Sequence, residues 1–472
     1  MGREKSLVKN TAIIAIGKIS TQFVSFLLLP LYTALLSTEE YGTVDLFNTY
    51  IRLFLPILTL MVEQGAFRYL LSVDSERASK VDIVTNSATV ITGMNIIFVI
   101  GECILFYNIK IPYAYYLIPM LILSSYSSWL LQIARGFKMT ALYSLGSFTS
   151  AAVHILMNVV FIAGLHKGVH GMLIATIIGH VSSVALLAWK LKIFCYIDIK
   201  AFDKVTIKKM LAYSIPLIPN TLSLWIINSS DRTIVNYFLG TSANGILAVS
   251  HKFPAIFQTV FSIFLLSWQE FATVHWNDKD WETYFNTIFD KILRLFSAMC
   301  VLIISVLPIV FPLLINKAFT QAYDTIPIYM VAMLLNITIG LGSVVYVATK
   351  KTKEIAKTTI FAGIVNIVLH IILIRQAGLF AAAISTFVAY FCAMVYRMYD
   401  TKKIINLHLK VRTLVMLIIA LSVTFVCYYQ TSIFIRIIGI VFAIVFSLYF
   451  CKDVAEIVMK FAGKTLKQHK IR

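Results

Sequence analysis

From Thr11 to Cys451 the sequence is almost continuously apolar, and short polar punctuation divides it into about fourteen stretches, each long enough to cross a bilayer as a helix. A chain patterned this way has no water-facing surface to fold around. Of its 472 residues 59% are hydrophobic and 13% charged, with mean hydropathy +0.84, so most side chains must meet lipid or another helix. Only helices or closed barrels satisfy the backbone there, and runs of this length are helical. The expected fold is an all-α integral membrane protein in one bundle.

The punctuation places spans near 10–36, 44–71, 83–107, 113–134, 140–165, 169–189, 210–239, 243–273, 284–315, 323–349, 355–375, 378–397, 411–429 and 433–451. Arg3, Lys5 and Lys9 ahead of the first run resemble the start of a signal peptide. The run is too long for one and no small-residue cleavage site follows, so it reads as a retained helix.

Basic residues near span ends favour the cytoplasmic side. With a cytoplasmic N-terminus, the outward loops hold only Lys110, Lys167, Lys317 and Arg375. The inward segments hold the runs Lys190 to Lys209, Lys350 to Lys357, Arg397 to Arg412 and Lys452 to Arg472. Both termini are therefore expected in the cytoplasm. A net charge of +19 would suggest nucleic acid in a soluble protein, but here it is the orientation signal together with attraction to anionic lipid heads.

Gly42 aligns with Gly245, with Leu35 to Thr38 lying against Phe238 to Thr241, and Asn158…Gly171 aligns with Asn366…Gly378. This is a parallel internal repeat of the kind that builds transporters. It predicts an N-terminal lobe at 1–194 with spans 1–6, a basic cytoplasmic linker at 195–209 and a C-terminal lobe at 210–403 with spans 7–12. Spans 13 and 14, with a basic tail, occupy 404–472.

Charges inside spans are costly and must face water, a partner or cargo. Span 2 carries Arg52 and Glu63; eleven residues is close to three turns, which predicts that the two share one face. Span 8 carries Lys252 at a depth equivalent to Arg52, then Glu270; span 7 carries Asp231 and Arg232; span 1 carries Lys18. Two readings stand side by side. Arg52, Lys252, Arg232 and Lys18 line a cavity and bind an anionic, diphosphate-like group, with Asp231, Glu63 and Glu270 as coupling or pairing carboxylates; or the charges pair with one another as interhelical struts.

Other chemistry finds little support. The six cysteines are scattered with no CxxC pair, the nine histidines form no metal-spaced set, and Asp278-Lys279-Asp280 lies in a short loop without a nucleotide-binding fold. No Walker motif is present, so no cofactor is expected and energy must come from an ion gradient, membrane potential or substrate gradient, with H+ or Na+ as candidate coupling ions.

Ser214-Ile215-Pro216-Leu217-Ile218-Pro219-Asn220, Ser230-Asp231-Arg232, Tyr237-Phe238-Leu239-Gly240, Asn244 through Lys252, Trp268 and Glu39-Glu40-Tyr41-Gly42 together resemble the Wzx-type polysaccharide flippase family of the MOP exporter superfamily. Leu247 departs from it, standing where that family often has Tyr. The resemblance implies fourteen helices in two pseudo-symmetric lobes and a bacterial plasma-membrane location. The implied cargo is an undecaprenyl-diphosphate-linked oligosaccharide repeat unit, moved to the outer leaflet for O-antigen, capsule or exopolysaccharide assembly. Membrane lipids would be partners, as would polysaccharide polymerase and chain-length proteins, and nucleic acid would not. Competing readings are a lipid II flippase, a MATE-type ion-coupled exporter whose cavity should be acidic, and a membrane polysaccharide polymerase, for which the outer loops are too short.

Overall fold

The structure, a computed structural model, describes residues 26–72, 77–108, 112–349, 351–407 and 410–452, and these are helical with no strand among them. Eleven of the described helices are long and apolar enough to cross a membrane, and a bent helix pair makes a twelfth candidate. Two expected spans fall outside that set. The span at 10–36 lies mostly outside the described residues, and the one at 210–239 contains a helix of spanning length whose middle is too polar. The chain forms two compact units, Met1–Ala248 and Val249–Arg472.

The first unit contains α1 (Leu29–Leu35), α2 (Thr38–Leu58), α3 (Val62–Ser72), α4 (Arg77–Asn108), α5 (Leu117–Gly136), α6 (Thr140–Asn158), α7 (Gly168–Leu191), α8 (Lys204–Ser214), α9 (Leu217–Leu239) and most of α10 (Thr241–Ser250). The Ser-Thr-Glu-Glu run starts α2 with a reciprocal cap. The Glu40 amide donates to Ser37 Oγ at 3.1 Å, and the Ser37 amide donates to Glu40 Oε2 at 2.9 Å.

Span 2 is not one helix. It breaks after Pro56, and Leu60 (φ 49°) and Met61 (φ 50°) take left-handed conformations that bend α3 away from α2 by 56°. Thr59 Oγ1 holds the turn by accepting the Met61 amide at 3.1 Å. A left-handed residue with a Cβ costs about 1 to 2 kcal/mol, so two in succession must be fixed by the packing around them. That packing is the unit's main core, where Val62, Ala66 and Leu70 of α3 meet Trp129, Leu130 and Ile133 of α5 and Met210 of α8. Because of the break, Arg52 and Glu63 sit on two helices; the expected shared face is corrected.

The basic stretch 195–209 is tied to the start of α4. Buried Asn86 donates to Ala201 O at 2.9 Å and accepts the Asp203 amide at 2.8 Å, while Thr85 Oγ1 donates to Tyr196 O and accepts the Asp198 amide. Asp203 then caps α8. The Thr206 hydroxyl and the amides of Val205 and Thr206 hold its carboxyl below the usual aspartate range.

The second unit contains α11 (Lys252–His275), α12 (Trp281–Leu314), α13 (Gln321–Ala348), α14 (Thr352–Ala377), α15 (Leu379–Thr401), α16 (Val411–Tyr428) and α17 (Ile433–Phe450). Expected span 8 is interrupted at His251, between α10 and α11. Trp268, singled out in the sequence, is buried and stacks on Trp281 with ring centroids 5.8 Å apart, joining α11 to α12. Tyr323 and Tyr428 stack at 4.2 Å and each donates its hydroxyl to the other's carbonyl, which fastens α13 to α16.

Arg397, counted from the sequence among the inward flanking charges, instead lies inside α15 with 2% of its surface exposed. Its guanidinium donates to the hydroxyls of Ser343 and Thr358 and to the carbonyls of Ile339 and Ile355. These partners belong to α13 and α14, so one buried cation pins three helices together.

Candidate functional site

Helices α2 and α9 run antiparallel and share a ladder of polar contacts. Asp45, Thr49 and Arg52 are spaced four and three residues apart and so occupy one face of α2. Opposite Asp45, Arg232 Nε donates to its Oδ2 at 2.8 Å. Opposite Thr49, Trp225 Nε1 donates to the Thr49 carbonyl at 2.9 Å. Beyond the end of α2, the Thr221 hydroxyl reaches Met61 Sδ at 3.4 Å.

Asp231 is buried and accepts from the Arg232 amide at 2.9 Å and from Arg232 Nη1 at 3.4 Å. Arg232 is therefore held between two carboxylates. Arg52 lies within electrostatic reach of Arg232 and Asp45 but is exposed, and among the described residues it has no ion pair. Across the α2–α9 contact a neutralised arginine, Arg232, thus lies near one with no ion pair among the described residues, Arg52.

The other expected site residues are distributed as follows. Glu63 on α3 is 5% exposed, with its Oε2 buried and lacking a hydrogen-bond partner among the described residues. Lys252 opens α11 in the second unit and is half-buried. Glu270 lies near the end of α11, exposed and without an ion pair among the described residues. Lys18 lies outside the described residues.

Sequence reasoning missed Asp45. The signal was present, because an aspartate two turns before Arg52 falls on the same face, but Asp45 stands at the mouth of the expected span 44–71 and was not counted among its buried charges. Trp225 and Thr49 were also missed, since the Trp225 indole bonds to the Thr49 main-chain carbonyl, a contact that composition does not register.

At one end of this ladder the repeat-related glycines meet. The start of α2 crosses the start of α10 so closely that a Cβ on Gly42 would collide with Thr241 O and lie 2.7 Å from Gly245 N. A Cβ on Gly245 would collide with Thr38 O and lie 3.0 Å from Gly42 N. Asn244 Nδ2 donates to Gly42 O at 3.0 Å, and the Thr38 and Ser242 hydroxyls are hydrogen-bonded. Only glycine permits this backbone-on-backbone approach.

The sequence profile described as "Polysaccharide biosynthesis protein" matches residues 7–267, more than half of the chain. This chain belongs to the polysaccharide biosynthesis protein family. Curated protein sequences yield no match to this family member. Among solved structures, one described as "Lipid II flippase MurJ, inward closed conformation" superposes with a TM-score of 0.69 at 17% identity, covering 96% of this chain and 100% of the other. Another, an inward-facing multidrug resistance MATE family transporter of the MOP superfamily, superposes with a TM-score of 0.67 at 15% identity, covering 82% of this chain and 98% of the other. At these identities the likeness establishes the fold. The polysaccharide biosynthesis family member is a multi-pass membrane protein with the MATE- and MurJ-like fold, and the resemblance noted in its sequence holds at the level of the family.

Proposed function

We propose that this protein is a flippase that moves undecaprenyl-diphosphate-linked oligosaccharide repeat units from the inner to the outer leaflet of the bacterial plasma membrane for surface polysaccharide assembly. Arg52 carries the reading. It is an exposed guanidinium on a membrane helix, with its neighbour Arg232 already neutralised, so it must face water or an anionic group. A planar guanidinium matches a phosphate oxygen pair, and a lipid diphosphate is the anion expected of a polysaccharide biosynthesis protein built on this fold.

Transport proceeds by alternating access. Arg52 and Arg232 serve cargo binding, and Glu63 and Asp231 supply coupling or charge pairing. Buried Glu63 is the best placed of these to exchange a proton during the cycle, with H+ or Na+ as coupling ion and no bound cofactor. Fourteen spans, two lobes divided at 195–209 and cytoplasmic termini complete the arrangement, with polysaccharide polymerase and chain-length proteins as downstream partners.

Deleting the gene and assaying the leaflet on which the lipid-linked oligosaccharide accumulates tests this. Accumulation on the cytoplasmic leaflet with loss of surface polysaccharide is expected, and Arg52→Ala should reproduce it while the protein remains folded and inserted. Unpolymerised units on the outer leaflet would instead indicate a polymerase. Accumulation of lipid-linked peptidoglycan precursor would indicate a lipid II flippase, and the absence of any lipid-linked intermediate would indicate small-molecule export. If Arg52 grips phosphate bidentately, Arg52→Lys should fail as badly as Arg52→Ala; if it supplies charge alone, the lysine should rescue.

A further inference from the structure

The second unit holds a basic pocket of about 350 Å³ between α12, α16 and α17, made of residues that take no part in the candidate cavity. Among the described residues, four cations line it, Arg294, Lys410, Arg412 and Lys452, against one carboxylate, Asp290. Asp290 is buried and receives Arg294 Nη2 at 3.1 Å, Lys410 Nζ at 3.3 Å and Thr413 Oγ1 at 3.0 Å. Its single charge sets the positions of two cations and can neutralise only one. Arg412 Nη2 donates to the Tyr449 hydroxyl at 2.9 Å, which orients the guanidinium and leaves its charge intact. A positive excess held this closely opposes itself unless an anion completes it.

We propose that this pocket binds the phosphodiester headgroup of an anionic phospholipid. Its place in the unit favours a lipid over a free phosphate. It lies where α16 begins and α17 ends, and the basic residues clustered at those ends mark the cytoplasmic headgroup layer. Leu293 and Leu414, the chain neighbours of Arg294 and Thr413, line an apolar groove of about 790 Å³ among α12, α13, α15 and α16, where an acyl chain can lie. A cationic pocket beside an apolar groove matches an amphiphile. The lipid would brace the last two helices against α12, beside the apolar cluster of Val301, Ala420, Ala443, Phe446 and Phe450.

The test is native mass spectrometry of the full-length protein titrated with phosphatidylglycerol or phosphatidylcholine, beside a Lys410→Gln/Arg412→Gln double variant and a Lys452→Gln variant. One phosphatidylglycerol should be retained at least about tenfold more tightly than phosphatidylcholine. The affinity should fall about fivefold in Lys452→Gln and about 30-fold in the double variant, as expected for basic residues at headgroup depth. Lys452→Gln removes a charge at the end of a helix, so it decides the question if the double variant does not fold. Equal retention of the two lipids, or no loss in either variant, would overturn the proposal. Displacement by millimolar inorganic phosphate would reassign the pocket to a free anion. Preferential displacement by a polyprenyl diphosphate would make it a station for the cargo.

Discussion

Arg232 and Arg397 are both removed from water within helices, yet they are accommodated in opposite ways. Arg232 lies between two carboxylates, Asp45 and Asp231, on a ladder joining α2 and α9. Arg397 bonds to neutral partners among the described residues, two hydroxyls and two carbonyls, with the Tyr346 ring 5.9 Å away. A carboxylate partner can be exchanged for another anion or for water when helices part, whereas a set of hydroxyls and carbonyls contributed by three helices is worth most when nothing moves. The comparison teaches that burial of an arginine does not by itself mark a transport site; the character of its partners does.

The largest effect should come from Arg397→Ala, which leaves the Ser343 and Thr358 hydroxyls and two carbonyls short of a donor in a packed core and should destabilise the protein by about 3 to 4 kcal/mol. Denaturation of the purified protein in detergent measures this. A loss of transport at unchanged stability would move Arg397 to Arg232's side of the comparison.

A smaller effect is expected from separating Arg232 from Asp45. A double-mutant cycle with Asp45→Asn and Arg232→Gln should give a coupling of about 1 to 2 kcal/mol, less than for a fully buried pair because both side chains retain some exposure. Each single variant should also slow translocation more than the double does. A coupling near zero would mean that the ion pair only records proximity.

Gly42→Ala should act more locally still. With cysteines at Thr38 and Ser242, disulfide formation should be efficient in the parent and fall sharply in the alanine variant, because the added methyl drives the two backbones apart. Stability around Arg397 should not change. If cross-linking survives the substitution, the close crossing is not what holds these helix ends together.

Helical class, membrane residence and most span positions were legible in the sequence because apolar runs and their polar interruptions are local properties. Gly42 and Gly245, aligned with each other in the sequence, lie in close backbone contact. What could not be read was bent or long-range. The break at Leu60 and Met61 carries neither glycine nor proline at the positions that take left-handed angles, so nothing local announces it, and the expected Arg52/Glu63 stripe failed there. Arg397 was assigned to a flank because a cation close to the end of an apolar run ordinarily snorkels; only the hydroxyls of Ser343 and Thr358, 54 and 39 residues away in sequence, explain its burial. Asp45 became part of the candidate site only once α9 was seen beside it.

The crossing at Gly42 and Gly245 has the reciprocity of a two-fold dimer interface: Gly42 is confined by Thr241 and Gly245, and Gly245 by Thr38 and Gly42. In a symmetric homodimer one such contact would be encoded once, and every substitution would strike both sides at the same time. Fused into a single chain, the two sides can vary independently. Each change then strikes one side only, so either helix start can be altered without first abandoning the contact that joins α2 to α10.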